Sequence, residues 1–187
     1  MQLDPIDEVV KQWRTQRPDL DPSPLAIIGR ILMLFRELEQ SADRALAPFE
    51  LTLWQFDVLS ALRRSGRPFC LTPTQLMHKI TLSSGAMTNR IDRLEALGYV
   101  ARDPDPDDRR GVRIRLTTEG RRVVDQAVAA RIAEARAQLT CLSPKERSVL
   151  VKLLRRLLLA ARCGDGDATR VRARSRRSAE TNAAHTR

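Results

Sequence analysis

One segment, residues 82–116, constrains the fold more than any other, because a short amphipathic helix in it runs directly into a β-hairpin. The apolar positions that recur at helical spacing are Met87, Ile91, Leu94 and Leu97. Gly98 follows them as the glycine that ends the helix. Two β-rich runs, 99–102 and 112–116, then flank a turn of Pro, Asp and Arg residues. A helix followed by a hairpin with a basic tip is typical of a winged helix-turn-helix.

The opposite face of this helix carries side chains that are short or polar enough to meet a base edge or a phosphate. The residues of the helix and its start that we predict to contact DNA are Ser83, Ser84, Gly85, Thr88, Asn89 and Arg93. The small residues at the helix start allow close backbone approach to a phosphate, and Thr88 and Asn89 lie one turn deeper. For an isolated helix, an ordinary solvated face would explain the pattern equally well. The hairpin that follows favours DNA binding.

The predicted hairpin tip consists of Asp108, Arg109 and Arg110, and Gly111 then lets the chain reverse. An arginine at such a tip can enter the minor groove, where narrow A·T tracts concentrate negative potential. An aspartate is an unusual residue beside DNA, and we expect Asp108 to orient Arg110. Ordinary turn formation is the alternative role for that aspartate.

Helix-start signals indicate where the helices begin in the rest of the chain. Four N-cap residues each precede a proline at the first helical position, in Asp4-Pro5, Ser23-Pro24, Thr72-Pro73 and Ser143-Pro144, and Thr52 with Gln55 forms a capping box. The predicted helices outside the reading helix cover about 5–16, 24–47, 53–64, 73–79, 118–139 and 144–161. The apolar stripe expected to be buried in the second consists of Ile27, Ile28, Ile31, Phe35, Leu38, Ala42 and Ala45. The fold class is therefore mainly α with a small β-hairpin wing.

The last predicted helix, 144–161, is apolar over more than half its circumference and needs burial on several sides. A partner subunit would provide that burial, and an intramolecular bundle is the alternative. We expect N-terminal helices for ligand binding and dimerisation, a winged helix-turn-helix domain, C-terminal dimerisation helices and a disordered basic tail. The corresponding ranges are 1–48, 49–117, 118–162 and 163–187. The tail either touches DNA phosphates or has no role.

The composition narrows the functional class. The net charge of +10 favours a polyanionic partner, nucleic acid first and an anionic membrane second. Three scattered cysteines exclude a disulfide framework and fit a reducing cytoplasm, and no apolar run or leader indicates a membrane span or secretion. No Ser/His/Asp set, phosphate-cradling glycine loop or metal-ligand spacing is present, so we expect no enzyme, cofactor or metal site.

The wing motif Asp108-x-Arg110-Gly111, followed by alternating β residues and the run from Leu116 to Gly120 (LTTEG), resembles the multiple-antibiotic-resistance-regulator (MarR) family of bacterial winged-helix repressors. The resemblance covers about residues 24–161. It implies a homodimer whose two recognition helices enter successive major grooves of a pseudo-palindromic operator.

The chain also resembles the urate-responsive subgroup of that family, which carries an N-terminal Trp and three charged residues that match Asp57, Arg90 and Arg102 here. The resemblance implies that a small anion, urate or a related purine, binds at Trp13 and these residues and releases the repressor. Such regulators control a transporter or a metabolic gene. A planar anion would stack on Trp13 and pair with Arg90 or Arg102, and Asp57 is expected to hold Arg102 in the free protein.

Each of these residues also has a simpler interpretation. Trp13 would serve as a core or interface anchor, Asp57 as a solvated helix residue, and Arg90 and Arg102 as phosphate contacts. A second hypothesis keeps the repressor but makes Cys70 an oxidant-sensing thiol, with Arg67 nearby to favour the thiolate. A third is a protein–protein adaptor that never reads DNA.

Overall fold

The computed structural model describes residues 3–80 and 87–161, without the side chains of residues 109 and 110. In chain order its elements are α1 (Pro5–Gln16), α2 (Ser23–Leu46), a 3₁₀ turn (Ala47–Phe49), α3 (Leu53–Arg64), β1 (Cys70–Leu71), α4 (Pro73–Lys79), α5 (Met87–Ala96), β2 (Val100–Asp105), β3 (Asp108–Leu116), α6 (Thr118–Gln138) and α7 (144–161). The chain divides into two compact units, Met1–Ala135 and Arg136–Arg187. The predicted fold class, mainly α with a small β wing, is confirmed.

Capping interactions explain why most helices begin where the sequence predicts. Full capping boxes form at the starts of α1, α3 and α4, and the pairs that form them are Asp4 with Asp7, Thr52 with Gln55, and Thr72 with Gln75. At the start of α7, the Ser143 amide donates to the Glu146 carboxylate at 2.7 Å. Ser23 was expected to cap α2, and this is wrong. Pro22 holds the N-cap position, and Ser23 is the first helical residue, whose amide donates to the Asp21 carboxylate at 2.9 Å.

The sheet has three antiparallel strands in the order β1-β3-β2. Strands β2 and β3 are the predicted hairpin, and both extend further towards the tip than the sequence indicated. The third strand, β1, was not predicted. It pairs Cys70 with Arg115 and Leu71 with Ile114 along the free edge of β3. Two residues are too few to show the alternation by which a strand is recognised.

The core of the first unit lies where α3, α4, α5, the sheet and α6 meet. Its fully buried larger side chains are Leu46, Val58, Leu59, Leu62, Leu76, Leu94, Val100, Ile114 and Val124. Met87 and Ile91 are buried with Leu94 as predicted, whereas Leu97 is 48% exposed. Leu97 lies beyond the last residue of α5, where the chain already turns towards β2. This shared core fixes α5 and the hairpin on one scaffold.

The apolar stripe of α2 was expected to be buried, and for the single chain this is wrong. Ile27, Ile28, Ile31, Phe35 and Leu38 are 36–59% exposed, and only Ala42 of the stripe is fully buried. The physical reason is that α1 packs on one side of α2, close enough that a Cβ on Gly29 would lie 2.9 Å from Ile6 Cδ1, and leaves the rest of the stripe uncovered.

The second unit contains α7, which presents apolar side chains around much of its surface. Those with exposed fractions of 39–63% are Val149, Val151, Leu153, Leu154, Leu157, Leu158 and Leu159. Despite this apolar surface, none of the helices within the described ranges has the length and hydropathy needed to cross a membrane.

Candidate nucleic-acid interface and ligand cavities

Helix α5 separates its apolar and polar residues as a recognition helix requires. Met87, Ile91 and Leu94 face the core, while Thr88 and Asn89 are exposed to solvent. Arg93 is exposed one turn further along the same helix. The other predicted contacts at the helix start, Ser83, Ser84 and Gly85, fall within 81–86, outside the described residues. The arrangement leaves a polar helix face open to a major groove.

The wing is stiffened by ion pairs across its two strands. Arg115 pairs with Asp103 at 2.5 Å, and Arg113 pairs with Asp105 at 2.9 Å and with Asp107 at 2.5 Å. The Arg115 guanidinium holds the pKa of Asp103 below its usual value. The amide of Asp107 and the Arg113 guanidinium do the same for the pKa of Asp105. Arg113 and Arg115 are therefore matched by carboxylates before DNA is present.

The wing tip needs a glycine at position 111. A Cβ on Gly111 would lie 2.9 Å from Asp105 Cβ and 3.0 Å from Asp108 Cβ, so a side chain there would force the strands apart. Asp108 is exposed and is the strand partner of Asp105. The side chains of Arg109 and Arg110 lie outside the described part of the chain, so the expected orientation of Arg110 by Asp108 stays a prediction.

Arg102 does not pair with Asp57, and the expected contact between them is wrong. From β2 the Arg102 guanidinium reaches α5, where it forms ion pairs with Asp92 and Glu95. These two carboxylates lie close to β2, whereas the charges that act on Asp57 are those of Arg64, Arg131 and Arg90. Burial outweighs these three cations and raises the pKa of Asp57 above its usual value. The neighbours of Asp57 thus come from α3, α5 and α6.

The cavities found among the described residues do not bring together the four residues predicted to bind the effector. Trp13, 47% exposed, lines a cavity of about 410 Å³ beside the turn between α1 and α2. Arg90 lines another of about 580 Å³, together with Trp54 and the end of α2. The structure brings Asp57 and Arg90 within electrostatic reach of each other, while Arg102 is engaged at the wing.

The Arg90 side chain contacts an aromatic ring but keeps one unsatisfied hydrogen-bond donor. Its guanidinium lies over the Trp54 ring, 5.6 Å from the ring centroid, which is a cation–π geometry. Its Nη1 atom is buried, and none of the described residues accepts a hydrogen bond from it. Sequence reasoning overlooked Trp54, because an aromatic residue in the first turn of a helix next to an apolar run is usually a core residue.

A third cavity, of about 470 Å³, lies between α3 and α6 and was also overlooked. Arg63, Arg64 and Arg131 line it, together with Ser60, which is only 2% exposed. Among the described atoms, the Ser60 Oγ and Arg131 Nε have no hydrogen-bond partner. The arginines stand on two helices far apart in sequence, so no local motif could have shown that they meet.

Cys70 is not an activated thiol. Burial, foremost, and the Asp103 carboxylate raise the pKa of Cys70, while Arg113 and Arg115 act against this rise without cancelling it. The expected activation by Arg67 is wrong, because the strand arginines and not Arg67 are the cations that act on the thiol. A thiol with a raised pKa is a poor nucleophile towards oxidants at neutral pH.

The exposed polar helix and the hairpin on one core define a winged helix-turn-helix DNA-binding protein, and known proteins identify its family. The model of the MarR family matches residues 49–111. The chain is similar to the transcriptional regulator PecS of Dickeya dadantii, at 34% identity over 152 residues that span 81% of this chain and 92% of the relative. It is also similar to the multiple antibiotic resistance protein MarR of Escherichia coli, at 32% identity over 133 residues, or 70% of this chain and 90% of that one.

Two solved structures agree with this assignment. One is a cysteine-to-serine mutant of E. coli MarR complexed with operator DNA, with a TM-score of 0.64, 28% identity and coverage of 78% of this chain and 97% of that one. The other is Bordetella bronchiseptica BpsR, in a study of how 6-hydroxynicotinic acid regulates its DNA binding, with a TM-score of 0.63, 28% identity and coverage of 70% and 91%. The chain belongs to the MarR family. It is a DNA-binding transcriptional regulator, not an enzyme.

Proposed function

We propose that this regulator is a homodimeric repressor that binds a pseudo-palindromic operator and is released by a small anionic ligand, urate or a related purine. Its targets on this proposal are a transporter or a metabolic gene. The observation that carries the DNA-binding mode is the exposed polar face of α5, held on the same core as the wing. Each subunit would place α5 in a major groove and its wing tip in the adjacent minor groove.

The DNA contacts we propose are those of the exposed helix face and the tip. In the helix and its start they are Ser83, Ser84, Gly85, Thr88, Asn89 and Arg93, and in the wing Arg109 and Arg110, with Asp108 orienting Arg110. Arg113 and Arg115 are excluded from this set because aspartates already match their charge. The net charge of +10 supplies the long-range attraction to the phosphate backbone.

The uncovered apolar faces support the homodimer. On the stripe of α2 and on α7, large apolar side chains are 36–63% exposed, and monomeric proteins rarely expose large contiguous apolar patches. Association of two identical chains buries such faces symmetrically. We assign dimerisation to residues 1–48 and 118–162, DNA binding to 49–117, and leave 163–187 as a basic tail.

The anionic ligand is supported by the three arginines whose charges act on Asp57, although Arg131 is also paired with Glu134 and acidic residues line the Arg90 cavity as well. The unpaired Nη1 of Arg90, and Arg64 and Arg131 on either side of the α3–α6 cavity, surround Asp57. Burial raises the pKa of Asp57, which lowers the cost of protonating this carboxylate when an anion binds to the neighbouring arginines. BpsR, similar in fold and in sequence, has its DNA binding regulated by 6-hydroxynicotinic acid, a planar acid.

Release would follow from the place of Arg90 on the recognition helix. A ligand that draws the Arg90 guanidinium away from Trp54 shifts α5 relative to its half-site. Coupling energies between two sites are typically about 1–3 kcal/mol, which corresponds to roughly a 5- to 150-fold loss of operator affinity. The proposed ligand set also includes Trp13 as a stacking surface, which lines a separate cavity in the single chain, and Arg102, which a ligand would have to draw away from Asp92 and Glu95.

We expect the wild-type protein to shift DNA from the intergenic region upstream of its own gene in a gel-shift assay. The Arg110→Ala variant should bind the same DNA about tenfold more weakly, since one minor-groove contact is lost in each wing. The matched control is Arg122→Ala, which removes an arginine that pairs with Glu119 within α6. Undiminished binding by Arg110→Ala would remove the wing from the interface, and failure of the wild type to prefer this DNA would favour the adaptor hypothesis.

Urate added to the preformed complex should release the DNA. The Arg90→Gln and Trp13→Ala variants should each need at least tenfold more urate, because they lose a charge partner and a stacking surface. This loss is about 1.4 kcal/mol of binding free energy. Hypoxanthine, a neutral purine of similar shape, is the ligand control, and fluorescence anisotropy of labelled DNA is the measurement. Equal release by hypoxanthine would show that the anion is not what is recognised, and no release by either would reject a purine effector.

A further inference from the structure

Arg102 connects the first strand of the wing to the recognition helix. Its two terminal nitrogens donate to different carboxylates, Nη2 to Asp92 and Nη1 to Glu95. The Arg102 backbone amide also donates to Glu95 Oε1 at 3.2 Å. Glu95 therefore holds both the main chain and the side chain of the same strand residue.

The spacing of the two carboxylates makes this bridge rigid. Asp92 and Glu95 are three residues apart and share one face of α5. Helix and strand are joined only by residues 97–99, in which Gly98 has a φ of +73° and donates its amide to Glu95 O at 2.8 Å. A second bond, from the Tyr99 amide to Leu94 O at 3.0 Å, tightens the same turn. The Arg102 side chain therefore links β2 to α5 across the turn that joins them.

The charge balance argues against a phosphate contact. One guanidinium faces two carboxylates, so the cluster carries a net charge of about −1 at neutral pH. The hydrogen bond to Asp92, foremost, raises the pKa of Arg102, which keeps the guanidinium charged. A phosphate would have to approach two acidic side chains to reach the arginine. Arg93, exposed on α5, is in a better position for that purpose.

We propose that Arg102 is a positioning residue that fixes the angle between the recognition helix and the wing. With this angle held, α5 and the wing tip meet the major and minor grooves in register. Exposed ion pairs add little to the stability of a fold. The effect of Arg102 therefore lies in how well the prearranged surface fits its operator, and hardly in the free energy of unfolding.

The test is a comparison of specific and non-specific DNA binding by the full-length Arg102→Gln variant over a series of salt concentrations. We expect its operator affinity to fall about tenfold, while its affinity for a scrambled duplex stays at the wild-type level. The slope of log affinity against log salt concentration should also be unchanged, because no phosphate contact is lost. The exchange of both partners, Arg102→Glu with Glu95→Arg, should recover part of the operator affinity. Arg122→Gln, within α6, is the control and should behave as the wild type.

Three results would overturn the proposal. A salt slope reduced by about 0.9 for each subunit, or about 1.8 for the homodimer, would make Arg102 a phosphate contact. An equal loss on both duplexes would indicate a general defect in binding. Unchanged operator binding with weakened release by urate would make Arg102 a ligand residue alone. If Arg102→Gln does not fold, Arg102→Lys decides the matter, because a lysine keeps the charge but cannot bridge two carboxylates as a planar fork does. The operator affinity of Arg102→Lys should then fall less than tenfold but measurably. A wild-type affinity would reject the proposed positioning role of Arg102.

Discussion

Replacement of Gly120 by alanine should lower the free energy of unfolding by about 3 kcal/mol, the upper end of the range for overpacking. Gly120 lies in the first turn of α6, directly against the start of the wing. A Cβ at this position would lie 2.0 Å from the Tyr99 carbonyl oxygen and 2.8 Å from its carbon. Both are backbone atoms, so no flexible side chain can move aside. The better helix propensity of alanine returns only about 1 kcal/mol.

The backbone around Gly120 cannot shift without breaking other bonds. The Tyr99 carbonyl accepts hydrogen bonds from the Thr117 amide and hydroxyl, each at 3.1 Å. The Gly120 amide donates to the same hydroxyl at 3.0 Å. Movement of α6 away from Tyr99 would therefore loosen the connection between the hairpin and α6, and we expect operator binding to weaken along with stability.

Urea denaturation followed by circular dichroism is the measurement, and Gly29→Ala is the matched control. Gly29 is also a helical glycine, but a Cβ there would meet the end of the Ile6 side chain, which can rotate. Its loss of stability should be smaller than that of Gly120→Ala. Similar denaturation midpoints for the two variants would contradict a rigid contact at Tyr99.

The helices were predictable because their signals are local. A capping box such as Thr52 with Gln55 involves residues three apart, and the apolar face of α5 repeats every three to four residues. Such patterns do not depend on the rest of the fold. The exception at Ser23 is equally local, since Asp21, two residues earlier, accepts a hydrogen bond from the Ser23 amide.

What the sequence could not predict involves contacts between distant segments. A long arginine side chain reaches any carboxylate within several ångströms, so sequence alone could not decide between Asp57 and the Asp92–Glu95 pair as the partner of Arg102. The prediction that the apolar stripe of α2 is buried was wrong for a related reason. An apolar stripe indicates which side of a helix is to be buried, but not whether the same chain or a second copy buries it.

The cavities were the least predictable part of the site. Ser60 and Arg131 come from α3 and α6, and Trp54 and Arg90 from α3 and α5, and neither pair has a sequence spacing that marks a pocket. They are found only through atoms that the fold leaves without partners, such as Ser60 Oγ and Arg90 Nη1. A buried unsatisfied group costs about 1–3 kcal/mol, so a ligand that satisfies it gains binding energy.

The Asn89→Ala variant should bind the operator about a hundredfold to a thousandfold more weakly than the wild type. An exposed carboxamide on a recognition helix can bond an adenine edge through two atoms, and such a pair is worth about 1–3 kcal/mol. In a symmetric homodimer the loss is counted twice, once in each half-site. Binding to a scrambled duplex should not change, because asparagine carries no charge and contributes nothing to counterion release.

Fluorescence anisotropy with the palindromic operator, with one isolated half-site and with a scrambled duplex separates the possible explanations. The control is Gln126→Ala, which removes an exposed carboxamide from α6 and should leave all three affinities unchanged. On the palindrome, the loss for Asn89→Ala in kcal/mol should be twice that on the half-site, because each subunit of the dimer loses one contact. Equal losses on both would show that one subunit alone reads the DNA, and a parallel loss on the scrambled duplex would place Asn89 on the backbone rather than on a base. The doubling thus tests base reading by α5 and the homodimer in a single measurement.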